Sequence, residues 1–183
     1  MNGFLDWFMP FITDFDHWRV PVILILLVVL ARGKTDTRLA ILFAIVAVVL
    51  ADQLSSGTLK PLFHRERPFH VIEAARVLNG AHGWSFPSSH AANTFAAGTF
   101  LALRFRRLAW ILVLPVLISY SRVYVGVHYP LDVLAGAALG AGVGGLCAVI
   151  ERVARRRLGG WMSRRHRRKD VPPDDQAPGD AAA

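Results

Sequence analysis

The sequence predicts an all-α protein, a polytopic transmembrane helical bundle of five to six spans with an interfacial helix at its N-terminus. Three observations predict it. Hydrophobic residues make up 54% of the 183-residue chain, yet its formal net charge is +8. The apolar residues fall in long runs, and Lys and Arg collect in the breaks between those runs. A soluble basic domain, a nucleic-acid binder above all, scatters its charges over amphipathic surfaces, whereas a chain crossing a bilayer segregates them in this way. No nucleic-acid partner is therefore expected; membrane lipids are, and the pattern leaves the oligomeric state open.

Taken in order, Phe4, Phe8, Phe11 and Phe15 recur at helical spacing with Trp7 among them. The stretch is too short to span, and its rings suit the membrane–water boundary. Residues 4–15 thus read as an interfacial helix with Pro10 as its bend. The acidic Asp6 and Asp14, and the lack of a small-residue cleavage site, argue against a cleaved leader. Trp18 to Ala31 is the first span, and Arg32 to Arg38 a basic turn. Leu39 to about Ser56 is the second span, carrying Asp52 near its far end. A carboxylate there either bonds a neighbouring helix or a site cation, or sits exposed at the interface.

Residues 57–87 form the longest polar connection, of the kind that often serves as a binding loop. Within it Val71, Ile72, Ala75 and Leu78 suit one short amphipathic helix, broken at Asn79-Gly80. The third span runs from about Ser88 to Leu103, with Pro87 before it and Ser88 as its N-cap. After a second basic turn at Arg104, Arg106 and Arg107, Leu108 to Tyr124 is the fourth, kinked at Pro115. Leu131 to Ile150 is the fifth, where Gly136, Gly140 and Gly144 make a small-residue stripe for close helix contact. Cys147, the lone cysteine, reads as an inert packing residue. The dense basic stretch from Arg152 to Lys169 suits a cytoplasmic surface of anionic lipid. The expected division is one integral membrane domain over residues 1–169 and a disordered tail over 170–183.

With five spans, both basic turns and the basic stretch fall on one side, the cytoplasm by the positive-inside rule. Three polar clusters fall on the other. The first is Lys60, six residues, then Arg67-Pro68. The second is Phe86-Pro87-Ser88-Ser89-His90. The third is Ser121-Arg122, five residues, His128, three residues, Asp132. Lys60, Arg65 and Arg67 oppose the charge bias, an exception that a catalytic role explains.

Singly these residues are unremarkable in type. Lys60, Arg67 and Arg122 are ordinary interfacial cations, Ser88 a cap, Ser121 a turn residue, and His90 a histidine of a first helical turn. Alone, His128 and Asp132 read better as a turn histidine beside a helix-start carboxylate. Together they change meaning. Asp132 one turn from His128 can fix its tautomer and leave the other ring nitrogen free to attack. Three cations and the N–H groups at residues 88–90 can surround the oxygens of a phosphoryl group, whose transfer depends on positioning and electrostatics. No acidic or His/Cys cluster has metal-site spacing, so neither a metal nor another cofactor is expected.

These clusters resemble the three-part signature of the type 2 phosphatidic acid phosphatases, a superfamily that also contains the vanadium haloperoxidases. The resemblance covers about residues 39–150. Each part is a weak pattern, but all three in order and at matching spacing form a strong one. It implies His128 as nucleophile through a phosphohistidine, Asp132 as its orienting carboxylate, and His90 as proton donor to the leaving oxygen. Lys60, Arg67 and Arg122 would bind phosphate, with Ser88 and the backbone at Ser89. The commonest family motif has Gly where this chain has Ser89, which implies a slightly narrower pocket and retained activity.

The resulting expectation is a multi-pass phosphatase of the bacterial inner membrane, its site facing the periplasm or cell exterior, acting on a lipid phosphate. Three cations suit a monoester or pyrophosphate better than a diester. Undecaprenyl pyrophosphate fits the charge and the side, and compact family members often act on it. Phosphatidylglycerophosphate, phosphatidate and lipid A phosphate are the rivals. A vanadate-dependent haloperoxidase is the remoter alternative, disfavoured by the apolar spans, and a non-enzymatic relic is disfavoured by the intact His90, His128 and Asp132.

Overall fold

The computed structural model describes residues 3–72 and 82–169, the stretch 158–169 by its backbone alone. The amphipathic segment expected around Ala75 and Leu78, and the tail expected over 170–183, lie outside the described residues. Every regular element among the described residues is helical. The chain divides into two units, Met1–Val149 and Ile150–Ala183.

In the first unit α1 (Gly3–Thr13) leads into α2 (Phe15–Arg32) and α3 (Thr35–Asp52). A wide π turn, Gln53–Leu59, carries the chain on into α4 (Lys60–Phe63). After α5 (Pro68–Val71) comes α6 (Ser89–Arg104), then a 3₁₀ segment, Arg106–Leu112, then α7 (Val113–Tyr124). The last helix, α8, is Pro130–Lys169 and enters the second unit at Ile150. Within that unit Arg155 pairs with Glu151 at 3.3 Å.

The core is built from small residues, as expected where helices meet in lipid and close packing replaces the hydrophobic effect. Ala40, Ala47 and Ala51 of α3 meet Ala92, Ala96 and Phe100 of α6, with Cys147 and Ala148 of α8. The glycine stripe has the role expected of it. A Cβ at Gly136 would stand 2.3 Å from the Ser88 carbonyl oxygen, at Gly140 2.1 Å from that of Ala92, and at Gly144 2.4 Å from that of Ala96. Only hydrogen fits at these positions, so α8 lies directly on the α6 backbone. That contact also sets the third polar cluster beside the second.

The outward faces are apolar. No α2 residue is buried, and Val20, Ile23, Leu24, Ile25, Leu27 and Val28 all point outward. Among the described residues, three stretches are long and apolar enough to cross a membrane: Thr35–Val71, Arg106–Tyr124 and Pro130–Arg157. By the same measure α2 falls short because of Asp16, Arg19 and Arg32, and α6 because it has only 16 residues. The protein is a transmembrane helical bundle, and its elements match the runs read from the sequence.

Some local details differ from expectation. The second span does not end near Ser56; helix continues through the π turn, which places Lys60 on helical backbone rather than in a loop. At Pro115 the chain changes winding more than it kinks. Pro115 has no N–H for the Ile111 carbonyl, and the turns before it tighten to 3₁₀ while Pro115 sits in the first turn of α7. Gly98 admits the Pro115 ring, whose Cγ would lie 3.1 Å from any Cβ there.

The two ends of the first unit carry different groups. At one end Arg104 pairs with Asp36, joining the two basic turns. At the other, Asp52 accepts from Asn93 Nδ2 at 2.9 Å and from Ser56 Oγ at 3.3 Å, and Ser56 lies 2.8 Å from Ser89 Oγ. Of the two readings left open for Asp52, the structure supports the bond to a neighbouring helix.

Candidate active site

All three clusters converge at this second end. The Phe86-Pro87-Ser88-Ser89-His90 stretch enters α6 through Ser88, whose hydroxyl oxygen accepts from the Ala91 amide at 3.5 Å. Ser88 also donates its own N–H to the Asp132 carbonyl oxygen at 2.9 Å. Ser88 is fully buried, so it fastens α6 to α8. Among the described residues, the amides of Ser89 and His90 are the first-turn donors of α6 that no such bond occupies. A helix N-terminus with open N–H groups is suited to an anion.

His128 sits in the turn between α7 and α8 and is only 3% exposed. Its Nδ1 lies 3.6 Å from Asp132 Oδ2 and 3.4 Å from Ser85 Oγ. Its Nε2 lies 3.4 Å from Arg67 Nη1. Asp132, fully buried on the first turn of α8, is held by three donors. Arg65 Nη1 reaches Oδ1 at 2.8 Å, the Tyr129 amide reaches Oδ2 at 2.9 Å, and the Ser85 hydroxyl donates to Oδ2. The one-turn spacing read from the sequence thus does bring carboxylate and imidazole together.

Arg67 is a fastener as well as a cation. Its guanidinium donates to the carbonyls of His82 at 2.9 Å, Gly83 at 2.8 Å and Val127 at 3.0 Å. It therefore pins the segment before Ser85 to the turn that bears His128, a task for a planar five-donor fork. Arg122, 6% exposed, donates to Thr13 Oγ1 at 3.0 Å while its buried Nε has no partner among the described residues. Lys60, on α4, lies within electrostatic reach of Arg67, Arg122 and Asp132. The same cations act on both His90 and His128. Ser121 is turned away, donating to the Ile118 carbonyl at 2.6 Å.

Burial outweighs the hydrogen bond to Asp132 and, with the smaller effects of the Arg67, Arg122 and Lys60 cations, pushes the His128 imidazole down to about 4. Near neutral pH the ring is uncharged, the state a nitrogen nucleophile needs. Among the described residues, no group of three or more His, Cys, Asp or Glu could hold a metal ion.

Three contributors escape a reading of the sequence motifs. Ser85 and Arg65 bind Asp132, and Arg65 also stacks 4.2 Å above the Tyr129 ring. Thr13 reaches Arg122 because α1 docks on α7: Met9 packs with Val125 and Val127, and Asp6 accepts from Tyr124 at 2.9 Å. Only Arg65 left a signal, as a cation on the side where the charge bias disfavours one. Beside it lies an open groove of about 340 Å³ lined by Phe63, Arg65 and Phe86.

The PAP2 superfamily model matches residues 39–156. A lipid A 4'-phosphatase of Bacteroides thetaiotaomicron is 36% identical over 155 residues, 79% of this chain and 68% of that protein. An undecaprenyl-diphosphatase of Sulfolobus acidocaldarius is 34% identical over 152 residues, 80% of this chain and 71% of its own. The crystal structure of LpxE from Aquifex aeolicus superposes with a TM-score of 0.64 at 29% identity, covering 80% of this chain and 87% of that one.

Proposed function

The chain belongs to the PAP2 superfamily and is a phosphoester hydrolase acting on lipids; on that premise we propose that it works through a phosphohistidine at His128 and that undecaprenyl diphosphate is its main substrate. The observation that carries the mechanism is the setting of His128, with acceptors at Nδ1 and a cation at Nε2. Nε2 attacks phosphorus and the bond from phosphorus to the leaving oxygen breaks, that oxygen taking a proton from His90. His90 is charged in the complex because the bound anion offsets the cations of Arg122, Lys60 and Arg67 around it. Water then attacks phosphorus and gives its proton to His90, the P–N bond breaks, and inorganic phosphate leaves. Lys60, Arg67 and Arg122 hold the phosphoryl oxygens, with the amides of Ser89 and His90. Asp132 balances the positive charge that grows on the ring.

The choice of a diphosphate rests on charge. Three cations in and around the pocket, with Arg65 half-exposed on the groove, suit a more highly charged head group. The ring-walled groove suits a lipid that keeps its chain in the bilayer. The similarity to a lipid A 4'-phosphatase favours one second reading, a lipid A monoester. Comparing kcat/KM in one detergent decides between them, with phosphatidylglycerophosphate and phosphatidate as further arms. The expected result is a preference of about tenfold or more for the prenyl diphosphate. A preference for any monoester would sink this substrate and leave the lipid phosphatase intact.

The proposed setting is the bacterial inner membrane, with the site facing the periplasm or cell exterior. Support comes from the Asp36–Arg104 end, where both basic turns gather, against the end that carries the site. His82→Cys and Arg106→Cys, each in a Cys147→Ala background, test it. A membrane-impermeant thiol reagent added outside intact cells should label the first and spare the second; the opposite pattern would invert the orientation.

A further inference from the structure

We infer that Ser85 is a positioning residue that locks His128 in the tautomer with Nδ1 protonated. The inference rests on His128 being the nucleophile. A serine hydroxyl has one proton and two lone pairs, and an ionised carboxylate only accepts. Ser85 Oγ contacts two groups, Asp132 Oδ2 and, at 3.4 Å, His128 Nδ1. Its proton is committed to Asp132, because nothing on that carboxylate can donate in return. Toward the imidazole it therefore presents only a lone pair. Asp132 Oδ2, 3.6 Å from the same nitrogen, also only accepts.

With two acceptors facing Nδ1, the ring proton belongs there. The opposite side of the ring agrees independently: Nε2 faces Arg67 Nη1 at 3.4 Å, and a guanidinium offers only N–H. A proton on Nε2 would set two donors against each other. The lone pair needed for attack is thus on Nε2, between the imidazole and a phosphate-binding cation. Ser85 itself is held rigidly, fully buried, with its N–H donated to the Arg65 carbonyl at 2.7 Å. Arg65 then closes the loop by pairing with Asp132 Oδ1 at 2.8 Å. Two residues joined by that backbone bond thereby hold the carboxylate from both oxygens, and the hydroxyl sets the proton of the ring.

The test uses full-length protein with ¹⁵N-labelled histidine in detergent, the His128 signals being assigned by their loss in His128→Gln. In wild type His128 should show one neutral tautomer with Nδ1 protonated. In Ser85→Ala, Asp132 and Arg67 still favour the Nδ1-protonated ring, but the nearer acceptor is gone. A minor Nε2-protonated population should therefore appear, and kcat should fall about 10–100-fold with KM changed less than about twofold. Ser85→Cys, which keeps a weak donor and acceptor at the position, should lie between the two in both readouts. A single Nδ1-protonated tautomer in Ser85→Ala, or a wild-type kcat in that variant, overturns the inference. Neither result bears on whether a phosphohistidine forms, which is read separately by trapping.

Discussion

His128→Ala should lower kcat by about four orders of magnitude or more, because members of such a coupled unit do not substitute for one another. In wild type, brief reaction with ³²P-labelled substrate and alkaline quenching should leave label on the protein that acid removes, as expected of a P–N bond. His128→Ala should carry none. The pH dependence follows from the same setting. Burial, with the cations of Arg67, Arg122 and Lys60, holds the imidazole at about 4 in the free protein, below its usual 6.5. The attacking form is the neutral one, present above the lowered value and lost as pH falls through it. The ¹⁵N signals of His128 should therefore stay those of a neutral ring at pH 6 and change only near pH 4. Near-wild-type turnover in folded His128→Ala, or no acid-labile label in wild type, would refute the covalent mechanism.

Much of this site is legible in the sequence because membrane residence makes polar residues conspicuous. In a chain whose runs are Leu, Ile, Val and Ala, clusters such as Lys60 to Arg67 or Arg122 to Asp132 stand out, and their location at the ends of alternate runs places them together. The glycine stripe is equally readable, since a four-residue repeat puts Gly136, Gly140 and Gly144 on one face of a helix whatever it meets. What escapes is whatever depends on irregular backbone. The short stretches around Arg65 and around Ser85 carry no helical or alternating period of their own, so nothing there tells Ser85 from the serines at 88 and 89. The fall of its hydroxyl on Asp132 comes from Arg67 gripping the carbonyls of His82 and Gly83.

The π turn escapes for a related reason. Residues 53–59 include Gln53, Ser55, Ser56, Gly57 and Thr58, a composition that signals a helix end. Tertiary bonds override it: Ser56 joins Asp52 and Ser89, and the helix continues with a wider turn that carries Lys60 toward the cations. The docking of α1 is hidden differently. Its aromatics recommend a membrane boundary, and Phe4 and Trp7 are indeed exposed, but Met9 and Thr13 on the other face bury against α7 and the turn before His128. Helical period identifies two faces without saying that the second one braces Arg122.

Asp132→Asn should be the second most damaging change, lowering kcat by about 10²–10⁴-fold with little loss of folded stability. The carboxylate accepts the Ser85 hydroxyl and the Tyr129 amide on Oδ2 and Arg65 on Oδ1. A carboxamide has one oxygen. Placed at the Oδ2 position, it keeps the two buried donors satisfied and turns its NH₂ toward Arg65, which is 37% exposed and can swing to solvent. The helix start and the Ser85 contact thus survive, and with them the placement of His128. What is lost is the negative charge that faces the ring as positive charge builds during transfer to Nε2, a contribution made mainly in the transition state. KM should therefore stay level or fall, since removing an anion near Lys60, Arg67 and Arg122 leaves them freer for phosphate. A folded Asp132→Asn protein with kcat within about tenfold of wild type, or one whose defect lies wholly in KM, would show that Asp132 serves the helix start and not the chemistry.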